Sequence, residues 1–84
     1  MKIKDIKTGD LFVIDNTMTR PKLKLKEGYL DIASLMIWTC REETEARVLT
    51  DIQIEKVRYN WKMKKEDFEK YNQMLIRRYI KEVK

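Results

Sequence analysis

One stretch decides the fold prediction, because it alternates without a break: Val57-Arg58-Tyr59-Asn60-Trp61-Lys62-Met63. Its large apolar side chains fall at every second position, and a cation or an amide stands at each position between them. This period of two is typical of a half-buried strand, since successive side chains of a strand point to opposite faces of a sheet. Residues 57–63 are therefore predicted to be a strand, with one face in the core and the other toward solvent or a partner.

A helix over Asp51–Met63 is the alternative, and it would give a three-stranded sheet and two helices. We favour the strand, because β-branched and aromatic residues occupy its alternate positions. Thr50 is followed three residues later by Gln53, which is the spacing of a capping box. A single helical turn is therefore predicted just before the strand.

The preceding residues divide into short apolar runs separated by turn residues. Gly9 and Gly28 each mark a turn, because glycine accepts the positive φ that tight turns require. A bend is predicted near Ala33 and Ser34, and a charged hairpin tip over Arg41–Glu45. Between these turns the pattern predicts four further strands, over Leu11–Ile14, Lys22–Lys26, Leu35–Cys40 and Arg47–Leu49.

The pattern changes again after Met63. Apolar residues then recur at intervals of three and four, which predicts an amphipathic helix from about Lys65 to Val83. Acidic residues stand in its first turn and basic residues near its end, an arrangement that suits the helix dipole. The face predicted to pack on the sheet consists of Phe68, Tyr71, Leu75 and Tyr79.

The opening segment Lys7-Thr8-Gly9-Asp10-Leu11-Phe12-Val13-Ile14 resembles the way in which small Src-homology-type barrels begin, a fold also used by KOW and Sm-like proteins. With five short strands before a terminal helix, the resemblance implies an α+β fold in a single domain, residues 1–84. Residues 1–64 are expected to form a small SH3-like curved antiparallel β-barrel, and residues 65–84 a C-terminal amphipathic α-helix packed on it.

Composition and charge bound the function. The 84 residues include one cysteine and no histidine, and the formal net charge is +5. Residues 1–28 carry a net charge of +3, residues 29–55 of −4 and residues 56–84 of +6. A short Lys-, Ile-, Met- and Tyr-rich chain of this kind resembles the small early accessory proteins of T-even-like phages. That resemblance implies a host-takeover or counter-defence role, through a host component or nucleic acid.

Catalysis, cofactors and membrane insertion are not expected. Without histidine the usual general base near neutral pH is missing, and one cysteine cannot form a zinc site. Cys40 ends an apolar run and is predicted to be a small buried hydrophobe. Glu42, Glu43, Glu45 and Asp51 could gather a magnesium ion, but a solvated turn is the commoner role of such residues. The lone cysteine and the absence of a long apolar segment predict a soluble cytoplasmic protein.

The remaining class is binding, and three basic rows are candidates for it. Rows of cations on strands and on one helix face favour a polyanion, although each row alone could be a solvated surface. Aromatic residues on a sheet suit single-stranded nucleic acid or RNA, whose bases stack on them. Tyr29, which follows a glycine turn, is predicted to be an exposed stacking residue, and Trp61 to lie in the core. The basic candidates are Lys22, Lys24 and Lys26; Arg58, Asn60, Lys62 and Lys64; and Lys70, Arg77, Lys81 and Lys84.

The first function hypothesis is thus a non-enzymatic RNA-binding protein. The second is an inhibitor or adaptor that binds a host protein such as a toxin, a nuclease or a polymerase subunit. Its contact surface would be the acidic tip Glu42–Glu45, which would mimic phosphate for a basic target, or the terminal helix. Oligomeric state stays open on the sequence.

Overall fold

A computed structural model describes residues 1–14, 20–39 and 41–80. Five short antiparallel strands form one sheet in the order β4-β3-β2-β1-β5. A 3₁₀ helix, Ile3–Asp5, precedes the sheet, and two α-helices follow it. The strands are β1 Leu11–Val13, β2 Lys22–Lys24, β3 Tyr29–Asp31, β4 Met36–Trp38 and β5 Arg47–Val48; the helices are α1 Asp51–Asn60 and α2 Lys65–Tyr79.

The predicted strand over residues 57–63 is wrong, because α1 runs through its first half. The capping box that begins α1 is confirmed: the Gln53 backbone N–H donates to the Thr50 hydroxyl, and the Gln53 side chain accepts from the Thr50 N–H. Val57 is 1% exposed and Tyr59 is 78% exposed. The two side chains therefore do not share a buried strand face.

The structure corrects three further points of the predicted fold. β3 was missed, because Tyr29–Asp31 lay in a segment that keeps no single period. The hairpin predicted at Arg41–Glu45 is wrong as well, since β4 and β5 lie at opposite edges of the sheet and the intervening chain crosses between them. The sheet is also not closed, so the structure supports the α+β class and a five-stranded antiparallel sheet, but not by itself a barrel.

We call the face of the sheet that bears Leu11, Leu23 and Leu30 the first face; it carries the larger part of the core. Leu11 pairs with Leu23, and Leu23 with Leu30, so these leucines share one face. Both α-helices pack there, and Trp61 meets Phe68 edge-on with ring centroids 6.3 Å apart. The predicted contact of α2 is confirmed. Phe68 and Leu75 are buried within this core, and Tyr71 and Tyr79 pack at its margin.

The second face of the sheet is covered in part by the N-terminus. Ile3 and Ile6 pack with Phe12 and Tyr29, and the Phe12 and Tyr29 rings meet edge-on at 5.5 Å. The Ile3 N–H donates to the Thr44 carbonyl at 3.0 Å, which ties the 3₁₀ helix to the chain between β4 and β5. β1 is therefore buried on both faces, which suits its uninterrupted apolar sequence.

Gly28 fixes the turn between β2 and β3 against β4. Its φ is +75°, and a Cβ at this position would overlap the carbonyl oxygen of Trp38. Gly28→Ala is therefore expected to lower the free energy of unfolding by about 1–3 kcal/mol, through overpacking against backbone that cannot move aside. Gly9→Ala is the matched control, because Gly9 also has a positive φ, +98°, but nothing lies within 4 Å of its Cβ position. Equal losses in chemical denaturation would contradict the packing of this turn against β4.

Candidate nucleic-acid interface

A cleft on the second face of the sheet brings cations together with an exposed aromatic ring. Its volume is about 300 Å³. Three cations and one carboxylate line it, so its formal charge is positive. We call it the basic cleft; its lining residues are Ile14, Arg20, Lys22, Tyr29, Asp31, Trp38 and Arg41.

Strand register places these side chains together. Asp31 pairs with both Lys22 on β2 and Met36 on β4, and Tyr29 pairs with Trp38. Paired residues project to the same face of a sheet. Lys22, Tyr29 and Trp38 therefore all project to the second face, and Arg20 and Arg41 extend it from the segments beside β2 and β4.

Asp31 orders the cations of the cleft. Its carboxylate accepts a hydrogen bond from the Arg20 guanidinium at 3.1 Å and lies 3.7 Å from the Lys22 ammonium. Its second oxygen accepts the Ala33 backbone N–H at 3.0 Å. Burial alone would raise the pKa of Asp31, but the Ala33 hydrogen bond and the charges of Lys22 and Arg20 outweigh it and hold that pKa below its ordinary value. The carboxylate thus stays ionised and holds both cations at the cleft.

Trp38 and Arg41 form the outer wall of the cleft. The Arg41 guanidinium carbon lies 5.7 Å from the centroid of the Trp38 ring, within the range of a cation–π contact. Trp38 remains 38% exposed. An exposed indole beside guanidinium groups offers a base both a stacking surface and a phosphate contact.

Several of the residues predicted as binding sites lie elsewhere. Tyr29 is 3% exposed and packs on Phe12, so the prediction of an exposed stacking residue is wrong. The row of three lysines on β2 is broken, because Lys24 is buried and its ammonium donates to the Leu25 carbonyl at 2.7 Å. Lys22 enters the basic cleft, and Lys26 follows the end of β2 in an exposed position.

The second predicted row does not exist as a strand face. Arg58 lies on α1, where it pairs with Glu55 and donates to the Met63 carbonyl at 2.8 Å. Asn60 ends α1, Lys62 lies in the following turn and Lys64 is the N-cap of α2. These residues are exposed apart from Arg58, but they do not form one surface row.

The third predicted row lies on α2, where Lys70 and Arg77 are exposed. They line an open groove together with Glu66 and Glu69, so the formal charges in that groove cancel. The groove is therefore a weaker anion site than the basic cleft. Cys40, Lys81, Val83 and Lys84 lie outside the described residues.

The acidic residues between β4 and β5 bind the protein's own N-terminus. Glu43 accepts hydrogen bonds from Lys2 at 2.9 Å and is paired with Lys4 at 2.8 Å; Glu45 pairs with the N-terminal ammonium at 3.0 Å. The Gly28 N–H donates to Glu42 at 3.2 Å. Hydrogen bonds from Lys4 and Lys2, with their charges, lower the pKa of Glu43 from 4.5 to about 2.

The ion pairs of Glu43 predict how the stability of the fold changes as the pH falls. Because its folded-state pKa lies below its ordinary value, Glu43 stabilises the fold above about pH 4.5 and ceases to do so as the pH falls through about 2. Wild type should therefore exceed Glu43→Gln in melting temperature at pH 7, and the difference should shrink steadily between pH 4.5 and 2. A difference that does not change over this interval would contradict the ion pairs. Glu27→Gln, at an exposed position on another turn, is the control.

Within the described residues, no group of three or more histidine, cysteine or carboxylate side chains is placed to hold a metal ion. Over the same ranges, no helix is long and apolar enough to cross a membrane. Comparison with protein family models, curated proteins and solved structures found no match for the chain.

Proposed function

We propose that the protein binds single-stranded nucleic acid through the basic cleft, and that RNA is its preferred ligand. The observation that carries this proposal is the convergence of Arg20, Lys22 and Arg41 with the exposed Trp38 ring in one cleft. Proteins that bind single strands combine cations along the backbone with aromatic rings on which bases stack. The chain's net charge of +5 would attract such a ligand over a longer range.

The size of the cleft favours an unpaired nucleotide over a duplex. At about 300 Å³ it lies at the lower end of small-ligand pockets, which suits one base and its adjoining phosphates. Trp38 can stack only on a base that has left its pair, whereas duplex binders usually insert a helix or a ribbon into a groove. Asp31 positions Arg20 and Lys22 and has no contact role with the ligand.

Binding without catalysis is part of the same proposal. The sequence lacks histidine, and the cleft offers no nucleophile next to a base. We also propose that the sheet belongs to an SH3-like barrel. Two features of the strand order support this: β1–β4 form an antiparallel meander, and β5 returns to pair with the free side of β1. A phage accessory role in a host cytoplasm is supported by composition alone.

The alternative proposal is a protein-binding inhibitor or adaptor. The acidic segment Glu42–Glu45, which the sequence indicated as the contact surface of such an inhibitor, is less suited to phosphate mimicry. Its carboxylates are already paired with the N-terminus and with Gly28. The observation that favours a protein partner is on α1, where Ile52 is 72% and Tyr59 78% exposed. These residues are seven positions apart and lie on one helix face.

The test compares two pairs of neutralised cations with the same change in net charge. Arg20→Gln with Arg41→Gln removes two cations from the basic cleft, and Lys70→Gln with Arg77→Gln removes two from α2. With single-stranded RNA, the cleft pair should weaken binding about tenfold at physiological salt and flatten the slope of log K against log salt by about 1.4. The α2 pair should leave the slope nearly unchanged. Equal effects of both pairs on the slope would mean that binding follows net charge, and the cleft would not be the site.

The same measurement separates the alternative. A protein-directed inhibitor should show no affinity for RNA even at low salt. Its partner complex should be lost in Tyr59→Ala, while both glutamine pairs retain it.

A further inference from the structure

β4 forms one edge of the sheet, and its side chains are apolar on both faces of the sheet. Within the described residues, it pairs only with β3. Met36 is 55% and Ile37 51% exposed, and Trp38 adds its exposed ring. Leu35 precedes them with a φ of 60°, a left-handed conformation that a bulky side chain rarely adopts, and it is 46% exposed. An apolar edge strand of this kind is a template for another strand.

We propose that a second copy of this chain pairs with β4 in antiparallel register about a two-fold axis at Ile37. Ile37 then faces the partner's Ile37 on the first face of the sheet. Met36 faces the partner's Trp38 on the second face, and Leu35 faces the partner's Thr39. A sheet edge joined to itself in this way forms an isologous interface, the kind found in two-fold dimers.

Charge is the reason for choosing a second copy as the occupant. Residues 33–39 carry no charge, so every cross-strand pair in this register is neutral. A charged partner strand, whether acidic or basic, would find no opposite charge within those residues. Burying a charge without a partner is costly, so the partner that suits β4 is an uncharged apolar strand. The chain supplies such a strand itself.

The two sheet edges differ in the way that this proposal requires. β5, at the opposite edge, contains a charged residue, Arg47, which is a common protection against edge pairing. β4 contains no lysine, arginine or proline. The structure thus leaves one edge suited to pairing and protects the other, which gives a closed dimer in place of an open polymer.

The pairing has a geometric consequence. A two-fold axis perpendicular to the sheet places the second faces of both copies on the same side. The two Trp38 rings would then lie roughly 8 Å apart at their Cα positions, from one strand spacing and two residues of strand rise. Both basic clefts would open on one surface. The dimer itself does not depend on the proposed nucleic-acid function.

Sedimentation equilibrium of the full chain, without nucleic acid, tests the dimer. In about 1 M NaCl the screening length is about 3 Å, which removes most of the repulsion between the two copies. Wild type should pass from monomer to dimer between micromolar and millimolar concentration, and dimerisation should strengthen as salt rises. A wild-type protein that stays monomeric up to millimolar concentration would overturn the proposal. Because RNA binding must weaken with salt, failure of one proposal is distinguishable from failure of the other.

Charge substitutions at Ile37 test the register. Ile37→Lys places two ammonium groups opposite each other and should abolish the dimer; Ile37→Glu should do the same. An equimolar mixture of the two variants should restore a heterodimer, which also shows that both variants are folded. Val48→Lys, a partly exposed position on the other edge strand, should leave the dimer intact. A dimer that survives Ile37→Lys, a mixture that stays monomeric, or a loss caused by Val48→Lys would each contradict the β4 pairing.

Discussion

Replacing Leu75 with alanine is expected to lower the free energy of unfolding by about 2–5 kcal/mol. Leu75 is 1% exposed and packs from α2 into the core on the first face of the sheet, together with Phe68 and Val57. The substitution removes buried methyl groups and leaves a cavity that neighbouring side chains fill only in part. A domain of 84 residues has a total stability of the order of 4–13 kcal/mol, so the substitution should remove a large share of it.

The neighbouring residue supplies the control for this substitution. Met74 lies on the same helix and is 39% exposed, so Met74→Ala should change stability by no more than about 0.5 kcal/mol. Urea denaturation followed by circular dichroism measures both. Equal and small losses for the two variants would mean that α2 does not pack on the sheet, and the architecture would be wrong.

The second large effect is expected on binding. Trp38→Ala should weaken the affinity for single-stranded RNA about 5- to 150-fold, because stacking of a base on an aromatic ring contributes about 1–3 kcal/mol. The loss should persist at high salt, since stacking does not depend on counterion release. It is thereby separable from the effect of neutralising Arg20 and Arg41, which should diminish as salt rises.

Tyr59→Ala is the matched control for Trp38→Ala. Tyr59 is 78% exposed and lies on α1, outside the basic cleft, so its removal deletes an exposed aromatic ring without touching the proposed site. RNA affinity should be unchanged. If the two alanine variants lose equal affinity, aromatic rings are contributing non-specifically and the cleft has no special role.

Local signals were sufficient to predict some of the fold. β1 could be located because an apolar run bounded by Gly9 and by a polar sequence after Ile14 has few other uses in a small domain. The start of α1 was marked by Thr50 and Gln53, whose capping geometry is confirmed. α2 was predictable because its apolar positions keep a helical period over four turns.

The stretch over residues 57–63 shows why the remainder was harder. Val57 and Trp61 are four residues apart, which fits a strand-like alternation through Tyr59, but together with Ile54 they also follow the three- and four-residue spacing of a helix face. The strand period and the helix period therefore both fit the same residues. Packing against the sheet, which is distant in sequence, stabilises the helix. Tyr59, left in solvent by that choice, is the residue whose exposure tells the two patterns apart.

The site was predicted less well for a related reason. Alternation along β2 indicates which side chains share a face, but it does not indicate whether another part of the chain covers that face. The N-terminal 3₁₀ helix covers part of the second face, so Tyr29 lies in the core. Arg20 lies far from Trp38 and Arg41 in the sequence, and only the pairing of β2, β3 and β4 brings it to them.

Tryptophan emission during titration with single-stranded RNA tests whether a base stacks on Trp38 in the basic cleft. The chain has two tryptophans, so Trp61→Phe leaves Trp38 as the only indole and keeps an aromatic ring at the position that packs on Phe68. Stacking of a base on Trp38 should quench its emission in a saturable manner at low salt, and added salt should restore the emission as the RNA dissociates. Emission that stays constant while the RNA binds would rule out stacking on Trp38, and an absence of RNA binding at low salt would rule out a nucleic-acid site in the basic cleft.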